Sequence, residues 1–205
     1  MLSIYFFCDK LNKSIYNVKE QDGGVIMGNF DFQRTSIDGL YVIEPKVYED
    51  ARGFFMETYT KKAFEDMGIH IDFVQDNHSK SEKNVLRGLH FQVNQPQGKL
   101  LRVISGSIYD VAVDLRNESS TYGQWYATIL SADNKRQFYV PPRFAHGFLT
   151  LEDQTEVLYK TTDYYHPEDE GGIIYNDSTL NISWPVELSQ IILSEKDKKL
   201  PKFDR

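Results

Sequence analysis

The residues best suited to chemistry lie between positions 87 and 100. Arg87 and Lys99 carry a permanent positive charge at neutral pH, whereas the imidazole of His90 takes up or releases a proton in that range. A base beside fixed cations suits an anionic substrate that must lose a proton from carbon. The cations also disfavour protonation of a neutral histidine. The segment therefore predicts proton-transfer chemistry on an anionic molecule.

The strand pattern around His90 sets a geometric condition. If residues 87–92 are extended, alternate side chains share a face, so Arg87 and His90 point to opposite faces. A β-bulge between them would remove this separation, and Gly88 is the residue at which a bulge is tolerated. The pattern alone leaves both arrangements open.

The histidines do not form a recognisable metal motif. They occur at positions 70, 78, 90, 146 and 166, and none is followed by another histidine two residues later. A metal site on such strands usually combines a His-x-His pair with a carboxylate and a third histidine, but Gln92 stands two residues after His90. We therefore predict that neither a metal nor another cofactor is bound.

Three other groups have both a functional and a structural interpretation. Tyr159 ends a strand-like run, and its phenol is either a packing residue or a general acid. Arg52 lies in a turn beside two phenylalanines and is either a solvated side chain or a phosphate ligand. The amides of Gln75 and Asn77 could contact a nucleobase edge, although a turn explains them equally well.

Composition excludes several classes of protein. The chain has 205 residues, of which 40% are hydrophobic, enough for one domain with a sizeable core. The net charge of −7 argues against a general binder of nucleic acid or of membrane surfaces. Cys8 is the only cysteine, so no internal disulfide can form. Without a membrane-length apolar run or a signal peptide, we predict a cytoplasmic protein.

The first 26 residues differ from the remainder and define a predicted boundary. They are mostly polar and end in two glycines shortly before Met27. Because glycine codons can spell a purine-rich ribosome-binding sequence, Met27 is a candidate start, with residues 1–26 a translated leader. The alternative is a genuine N-terminal extension. We predict a single domain over residues 27–205.

Beyond Met27 the dominant pattern is a series of short β-like runs separated by turn residues. These runs cover 40–47, 100–105, 108–115, 125–130, 137–140, 148–151 and 156–161. Their spacing predicts an all-β sandwich or barrel. A helix is predicted at 61–67, capped by Thr60 and ended by Gly68, and a second short helix at 194–198.

Taken together, the motifs resemble those of a known family. Over residues 30–201 the chain resembles the dTDP-4-dehydrorhamnose 3,5-epimerases, the third enzymes of dTDP-L-rhamnose synthesis. The matching motifs, in order, are DARGFFME (50–57), FVQDNHS (73–79), VLRGLHFQ (85–92), QGKL (97–100), DVAVDLR (110–116), FAHGF (144–148), YK (159–160) and LSEKD (193–197). The resemblance implies a double-stranded β-helix (a cupin-like jelly roll), a homodimer that shares N-terminal strands, and catalysis without a metal.

The resemblance also implies a role for each site residue. It makes His90 the base, Asp197 the group that orients it, and Tyr159 the acid on the opposite face. Lys99 is expected to stabilise an enolate at the 4-keto oxygen. The expected substrate ligands are Arg87, His146, Glu170 and Lys196 at the sugar and diphosphate, Gln75, Asn77 and Tyr165 at the thymidine, and Arg52 and Glu57 at the nucleotide of the neighbouring subunit.

Other functions remain open at this stage. A relative that inverts only C3 or only C5 would use the same residues. A cupin-like sugar-nucleotide binding protein without turnover, or a metal-dependent oxygenase, would share the fold. Two positions depart from the family pattern: Tyr175 replaces a usual tryptophan, and Arg143 stands in a loop where a glutamate and a glycine are common.

Overall fold

A computed structural model describes residues 20–21 and 24–204, and this part of the chain is built almost entirely of β-strands. The strands are β1 (Glu20–Gln21), β2 (Gly24–Met27), β3 (Phe30–Arg34), β4 (Tyr41–Pro45), β5 (Val47–Asp50), β6 (Gly53–Met56), β7 (Gln75–Ser81), β8 (Leu86–Gln92), β9 (Lys99–Ser105), β10 (Ser107–Asp114), β11 (Trp125–Ser131), β12 (Gln137–Val140), β13 (Phe144–Thr150), β14 (Thr155–Thr161) and β15 (Glu170–Gly172). One α-helix, α1 (Lys61–Asp66), and 3-10 turns at Pro167–Asp169, Leu188–Gln190 and Asp197–Lys199 complete the secondary structure.

The strands form two large antiparallel sheets and one separate hairpin. The eight-stranded sheet has the order β1-β2-β3-β4-β12-β9-β14-β7, and the five-stranded sheet has the order β11-β10-β13-β8-β15. Strands β5 and β6 pair only with each other and form the hairpin. Two facing antiparallel sheets with crossover connections are the architecture of the jelly roll, so the predicted cupin-like fold is confirmed.

The main hydrophobic core lies between the two large sheets. The eight-stranded sheet contributes Leu101, Phe138 and Val157, and the five-stranded sheet contributes Ile108 and Phe148. All five are at least 95% buried. Burying such side chains stabilises the fold by about 1.5–3 kcal/mol each. The core therefore fixes the distance and the angle between the sheets, and with them any site built from both.

The outer face of each sheet is covered by its own cluster. Helix α1 and the chain after it place Phe64 and Ile69 against Leu100 and Tyr139 on the eight-stranded sheet. Phe64 makes edge-to-face contacts with several neighbouring aromatic rings, which prefer this arrangement. The C-terminal segment covers the five-stranded sheet in the same way.

The predicted helices differ in outcome. Helix α1 confirms the prediction at 61–67 to within one residue, and Gly68 follows its end with a φ of +84°. Thr60 is the N-cap residue, as predicted, although its hydroxyl donates to the carboxylate of Glu57 and not to a backbone N–H of the helix. The helix predicted at 194–198 is wrong: only a 3-10 turn forms, since Leu200 precedes a proline and is extended.

Most predicted strands are present, with shifted ends. The prediction at 137–140 matches β12, whereas 40–47 divides into β4 and the start of β5. Strand β7 escaped prediction because its sequence, QDNHSKS, has no apolar residue to reveal an alternation. Its burial nevertheless alternates along the whole strand.

The predicted boundary at Met27 lies at the end of strand β2. Residues 24–27 pair with β3, opposite Gln33, Phe32, Asp31 and Phe30. Most of the proposed leader lies outside the described residues. The translation start at Met27 and the division of the chain at that residue stay predictions.

A β-bulge lies between Arg87 and His90, which is one of the two arrangements that the strand pattern left open. His146 of β13 pairs with His90, and Phe148 pairs with Arg87, so two residues of β8 oppose the single Gly147. Gly88 has a φ of +122°, and a Cβ on it would lie 2.5 Å from the Cα of Gly147. The bulge brings Arg87 and His90 to one cavity.

We predict that Gly88→Ala destabilises the protein more than Gly53→Ala. Both glycines have almost the same positive φ, but a Cβ on Gly53 would meet no atom within 4 Å. Gly53→Ala should therefore cost about 1 kcal/mol for backbone strain alone, and Gly88→Ala about 3 kcal/mol or more. Urea unfolding of both variants measures the difference. Equal losses of stability would mean that the close backbone contact at Gly88 is unimportant.

Candidate active site

A cavity of about 600 Å³ opens between the two large sheets. Strands β7, β9 and β14 of one sheet line it together with β8 and β13 of the other. Every predicted site residue except Arg52 and Glu57 lines this cavity, namely Gln75, Asn77, Arg87, His90, Lys99, His146, Tyr159, Tyr165, Glu170, Lys196 and Asp197. Residues more than one hundred positions apart in the sequence therefore share one space.

His90 and Asp197 form a hydrogen-bonded pair. The Nε2 atom of His90 lies 2.7 Å from Oδ1 of Asp197, which is buried at the start of the last 3-10 turn. The backbone N–H of Asp197 donates to the hydroxyl of Ser194, which holds this turn in place. Because a carboxylate accepts hydrogen bonds, the pair favours the tautomer with the proton on Nε2 and a lone pair on Nδ1.

The ionisation of His90 follows from two opposing influences. Burial lowers the pKa of His90, and the charge and hydrogen bond of Asp197 raise it. The net effect is a pKa below the usual 6.5. The imidazole is therefore neutral at pH 7 and able to accept a proton.

Tyr159 faces His90 from the other sheet. It projects from β14 in the eight-stranded sheet, whereas His90 belongs to β8 in the five-stranded sheet. Burial raises the pKa of the Tyr159 phenol, and the charge of Arg87 lowers it by less. The phenol therefore keeps its proton at pH 7, so a base and an acid stand on opposite walls of the cavity.

Lys99 on β9 supplies a cation to the cavity. Burial lowers its pKa to about 8, against the opposing charges of Asp110 and Glu170. Lys99 is therefore still protonated in most molecules at pH 7. A partly desolvated ammonium of this kind stabilises a nearby oxyanion more strongly than a solvated one.

A second histidine–carboxylate pair includes a residue that sequence reasoning missed. Nε2 of His146 lies 2.6 Å from Oδ1 of Asp110, and both side chains are buried. Asp110 also interacts electrostatically with Lys99. The available signal was a carboxylate in the middle of an otherwise apolar stretch of strand, since charged groups are rarely buried without a functional or ionic partner.

Glu170 connects three groups at the rim of the cavity. The Tyr165 hydroxyl donates to Oε2 of Glu170 over 2.6 Å, and Lys196 forms an ion pair with the same oxygen. Burial raises the pKa of Glu170, but the hydrogen bonds from Lys196 and Tyr165 lower it by more. The pKa of Glu170 therefore lies below its ordinary value. The other oxygen, Oε1, lies 4.0 Å from Nδ1 of His90.

Polar groups on β7 and β8 line one side of the cavity. The side-chain amide of Gln75 donates to Asn77 over 2.8 Å, and Gln75 accepts from the backbone N–H of Tyr165. Nε of Arg87 donates to the hydroxyl of Ser81 over 3.0 Å. On this side of the cavity, the guanidinium of Arg87 is thus held at one end of the polar groups, and the amides of Gln75 and Asn77 lie at the other end.

Arg52 and Glu57 lie away from this cavity. Arg52 is at the tip of the β5–β6 hairpin, where its side chain is 90% exposed and pairs with Asp50. Glu57 accepts a hydrogen bond from Thr60 just after the hairpin. Their predicted contact with the nucleotide of a neighbouring subunit stays a prediction.

Neither a metal-binding cluster nor a membrane-spanning helix occurs in the part of the chain that the structure describes. Within it, no group of three or more His, Cys, Asp or Glu side chains could hold a metal ion. Among the same residues, no helix is both long and apolar enough to cross a membrane.

The fold and the cavity define a class of protein: a jelly-roll acid–base catalyst with a cationic pocket. Comparison with known proteins gives the family. The family model described as dTDP-4-dehydrorhamnose 3,5-epimerase matches residues 34–205. The chain belongs to the dTDP-4-dehydrorhamnose 3,5-epimerase family.

Individual relatives agree with this assignment. The dTDP-4-dehydrorhamnose 3,5-epimerase of Methanothermobacter thermautotrophicus is 53% identical over 173 residues, which cover 84% of this chain and 94% of the relative. A crystal structure of the Elizabethkingia anophelis enzyme has a TM-score of 0.83 and 47% identity, covering 86% of this chain and 97% of that one. The Legionella pneumophila enzyme in complex with dTDP-4-keto-L-rhamnose has a TM-score of 0.80 and 48% identity, covering 86% and 100%.

We predict that Asp197→Asn lowers the pKa of His90 still further. The substitution removes the charge and the strong hydrogen bond that oppose the effect of burial on the imidazole. NMR titration of the histidine side chains measures the change. Glu195→Gln is the matched control, because Glu195 is exposed on the same segment and pairs with Lys198. An unchanged pKa in the Asp197 variant would refute the pairing.

Proposed function

We propose that the protein epimerises dTDP-4-dehydro-6-deoxy-D-glucose at C3 and C5, which gives dTDP-4-dehydro-L-rhamnose. The observation that carries this proposal is the pair His90–Asp197 facing Tyr159 across a cavity that also contains Lys99. Family membership supports the substrate class. The roles of the individual residues rest on geometry and on the resemblance of their motifs to those of the family.

The reaction uses the acidity that a ketone gives to its neighbouring carbons. Nδ1 of His90 takes the proton from C3 or C5, and the electron pair of the broken C–H bond forms an enolate whose charge lies on the C4 oxygen. Lys99 stabilises that oxygen. Tyr159 then donates its proton to the opposite face of the carbon, and solvent restores both groups. Each proton-transfer group contributes on the order of 10²- to 10⁴-fold in rate.

The two walls of the cavity account for the inversion of configuration. Because His90 and Tyr159 belong to facing sheets, a planar enolate between them loses a proton to one side and gains one from the other. Asp197 keeps the imidazole in the orientation and the tautomer that this requires. In this scheme neither a metal nor another cofactor takes part.

The remaining cavity residues bind the nucleotide and its diphosphate. Arg87, His146 and Lys196 provide positive charge or donors for the diphosphate and the sugar, and Glu170 orders the rim between them. The amides of Gln75 and Asn77 contact the thymine edge, and the half-exposed ring of Tyr165 stacks on the base. Planar amides and aromatic rings are suited to these contacts.

We further propose a cytoplasmic homodimer in which the β5–β6 hairpin reaches the cavity of the neighbouring subunit. Phe54 and Phe55 on this hairpin are 58% and 68% exposed, an unusual state for large apolar side chains. Arg52 and Glu57, on or beside the hairpin, would then contact the partner's nucleotide. A two-fold dimer would exchange the hairpins reciprocally.

A second cavity on the outer face of the eight-stranded sheet supports this dimer. It has a volume of about 320 Å³ and includes Thr58, two residues after the hairpin. Arg102 and Gln137 are cross-strand neighbours there. Arg102 has no ion pair with another described residue, and the buried side-chain amide of Gln137 has no hydrogen-bond partner among them. A partner carboxylate would satisfy both groups.

Turnover in D2O tests the proposed reaction. The product should carry deuterium at both C3 and C5, detected by NMR or mass spectrometry. His90→Ala should lower the rate of incorporation by at least about 10²-fold. His70→Ala is the matched control, because this histidine is exposed and does not line the cavity, and its rate should equal that of the wild type.

Each alternative function predicts a different result in the same assay. Deuterium at one carbon alone would show a relative that inverts only C3 or only C5. Tight binding of the sugar nucleotide without incorporation would indicate a binding protein. Loss of activity on chelation, together with bound iron in elemental analysis, would indicate a metal-dependent enzyme. Any of these outcomes would contradict the proposal.

Mixing two inactive variants tests the exchanged hairpin. Arg52→Ala and His90→Ala are each expected to impair turnover, but a mixed dimer would contain one cavity with its own His90 and the intact Arg52 of its partner. Co-expression at equal levels should restore about one quarter of wild-type activity, since half of the dimers are mixed and each has one complete site. If Arg52 acted within its own subunit, no activity would return.

A further inference from the structure

Ser79 has a buried hydroxyl that no described residue satisfies. Its Oγ atom is inaccessible to solvent and has no hydrogen-bond partner in the described part of the chain, although the residue lines the main cavity. Most buried polar groups in proteins are hydrogen-bonded, and leaving one without a partner is unfavourable. The absence of a protein partner for a group in a binding cavity points to a partner on the ligand.

The neighbours of Ser79 on strand β7 all have partners. Burial along β7 alternates, so that Gln75, Asn77, Ser79 and Ser81 lie on the inner face. Gln75 is hydrogen-bonded to Asn77, and Ser81 accepts from Arg87. Ser79 therefore stands between a pair of amides and the serine that holds a guanidinium.

Ser79 therefore lies between the proposed base contacts and the proposed diphosphate contact of a nucleoside diphosphate. Alternate residues on one face of a strand are about 7 Å apart, so Ser79 lies about 7 Å from Asn77 on one side and from Ser81 on the other. In the proposed function, the amides bind the base and Arg87 binds the diphosphate. A ligand that spans these two contacts must pass Ser79.

We propose that the Ser79 hydroxyl donates a hydrogen bond to a diphosphate oxygen of the bound nucleotide. This inference rests on the proposed function for the position of the base and the diphosphate. A serine hydroxyl is neutral and can donate to a phosphate without a change of protonation. Hydrogen bonds to charged acceptors are about twice as strong as those between neutral groups. Ser79 would thus add affinity at the diphosphate without adding a charge to the cavity.

A calorimetric comparison of Ser79→Ala with the wild type tests this role. Binding of dTDP should weaken by roughly tenfold or more, because a hydrogen bond to a charged group contributes about 1.5–3 kcal/mol. Binding of thymidine, which has no phosphate, should not change. Ser105→Ala is the matched control, because Ser105 is an exposed serine on β9 and does not line the cavity.

A stability measurement separates binding from a structural role. Since Ser79 forms no hydrogen bond with the described residues, the urea midpoint of the free Ser79→Ala variant should equal or exceed that of the wild type. Lower stability with unchanged dTDP binding would overturn the inference. A loss of affinity for sugar nucleotides but not for dTDP would also overturn it, because the contact would then be to the hexose.

The two proposals can fail independently. Binding of dTDP needs no turnover, so a chain that fails to incorporate deuterium can still lose dTDP affinity through Ser79→Ala. Conversely, an active epimerase whose dTDP affinity is unaffected by the substitution retains the proposed function and refutes the role of Ser79.

Discussion

The close approach of the backbones at Gly88 and Gly147 is the constraint on which the site depends. A Cβ on Gly88 would lie 2.5 Å from Cα of Gly147, and a Cβ on Gly147 would lie 2.7 Å from the carbonyl oxygen of Arg87. Only two residues without side chains allow the bulge that reconciles Arg87 with His90. In an unbroken ladder the two would face opposite sides, because side chains alternate with a period of two. On one side of this bulge His90 pairs with His146, and its imidazole contacts Asp197.

Burial shifts the pKa values of the acid and the base in opposite directions, and both shifts favour the protonation states that the two groups need before they react at neutral pH. It lowers the pKa of His90 and raises that of Tyr159, so each group is uncharged before it reacts. Asp197 limits the effect on the histidine, which keeps the imidazole basic enough to accept a proton. Lys99, with a pKa of about 8, keeps its positive charge in most molecules at neutral pH although it is largely desolvated. The same apolar core that holds the sheets together therefore also sets the ionisation of the groups between them.

Different parts of the molecule are predictable from the sequence for different physical reasons. Strand spacing predicted an all-β fold, and strand parity identified Gly88 as the position at which a bulge would be tolerated, because both depend on local backbone geometry. Asp197 lies 107 residues after His90 and could be joined to it only through family resemblance. Asp110 was missed because its partner lies on another strand, and strand β7 was missed because its residues are all polar. The contacts of Asp110 and Asp197 join segments that are distant in the sequence, so local patterns do not reveal them.

Strand β7 carries two sets of side chains that can change independently. Its inner residues face the cavity, while its outer residues include Asp76, His78 and Lys80, all of them exposed. Asp76 and His78 pair with Lys160 and Glu156 of the neighbouring strand. β7 is also the last strand of its sheet, with one side of its backbone unpaired by another strand of the sheet. Charged side chains along such an edge oppose its pairing with strands of other chains. Ligand preference can therefore evolve on one face of this strand while resistance to aggregation is maintained on the other.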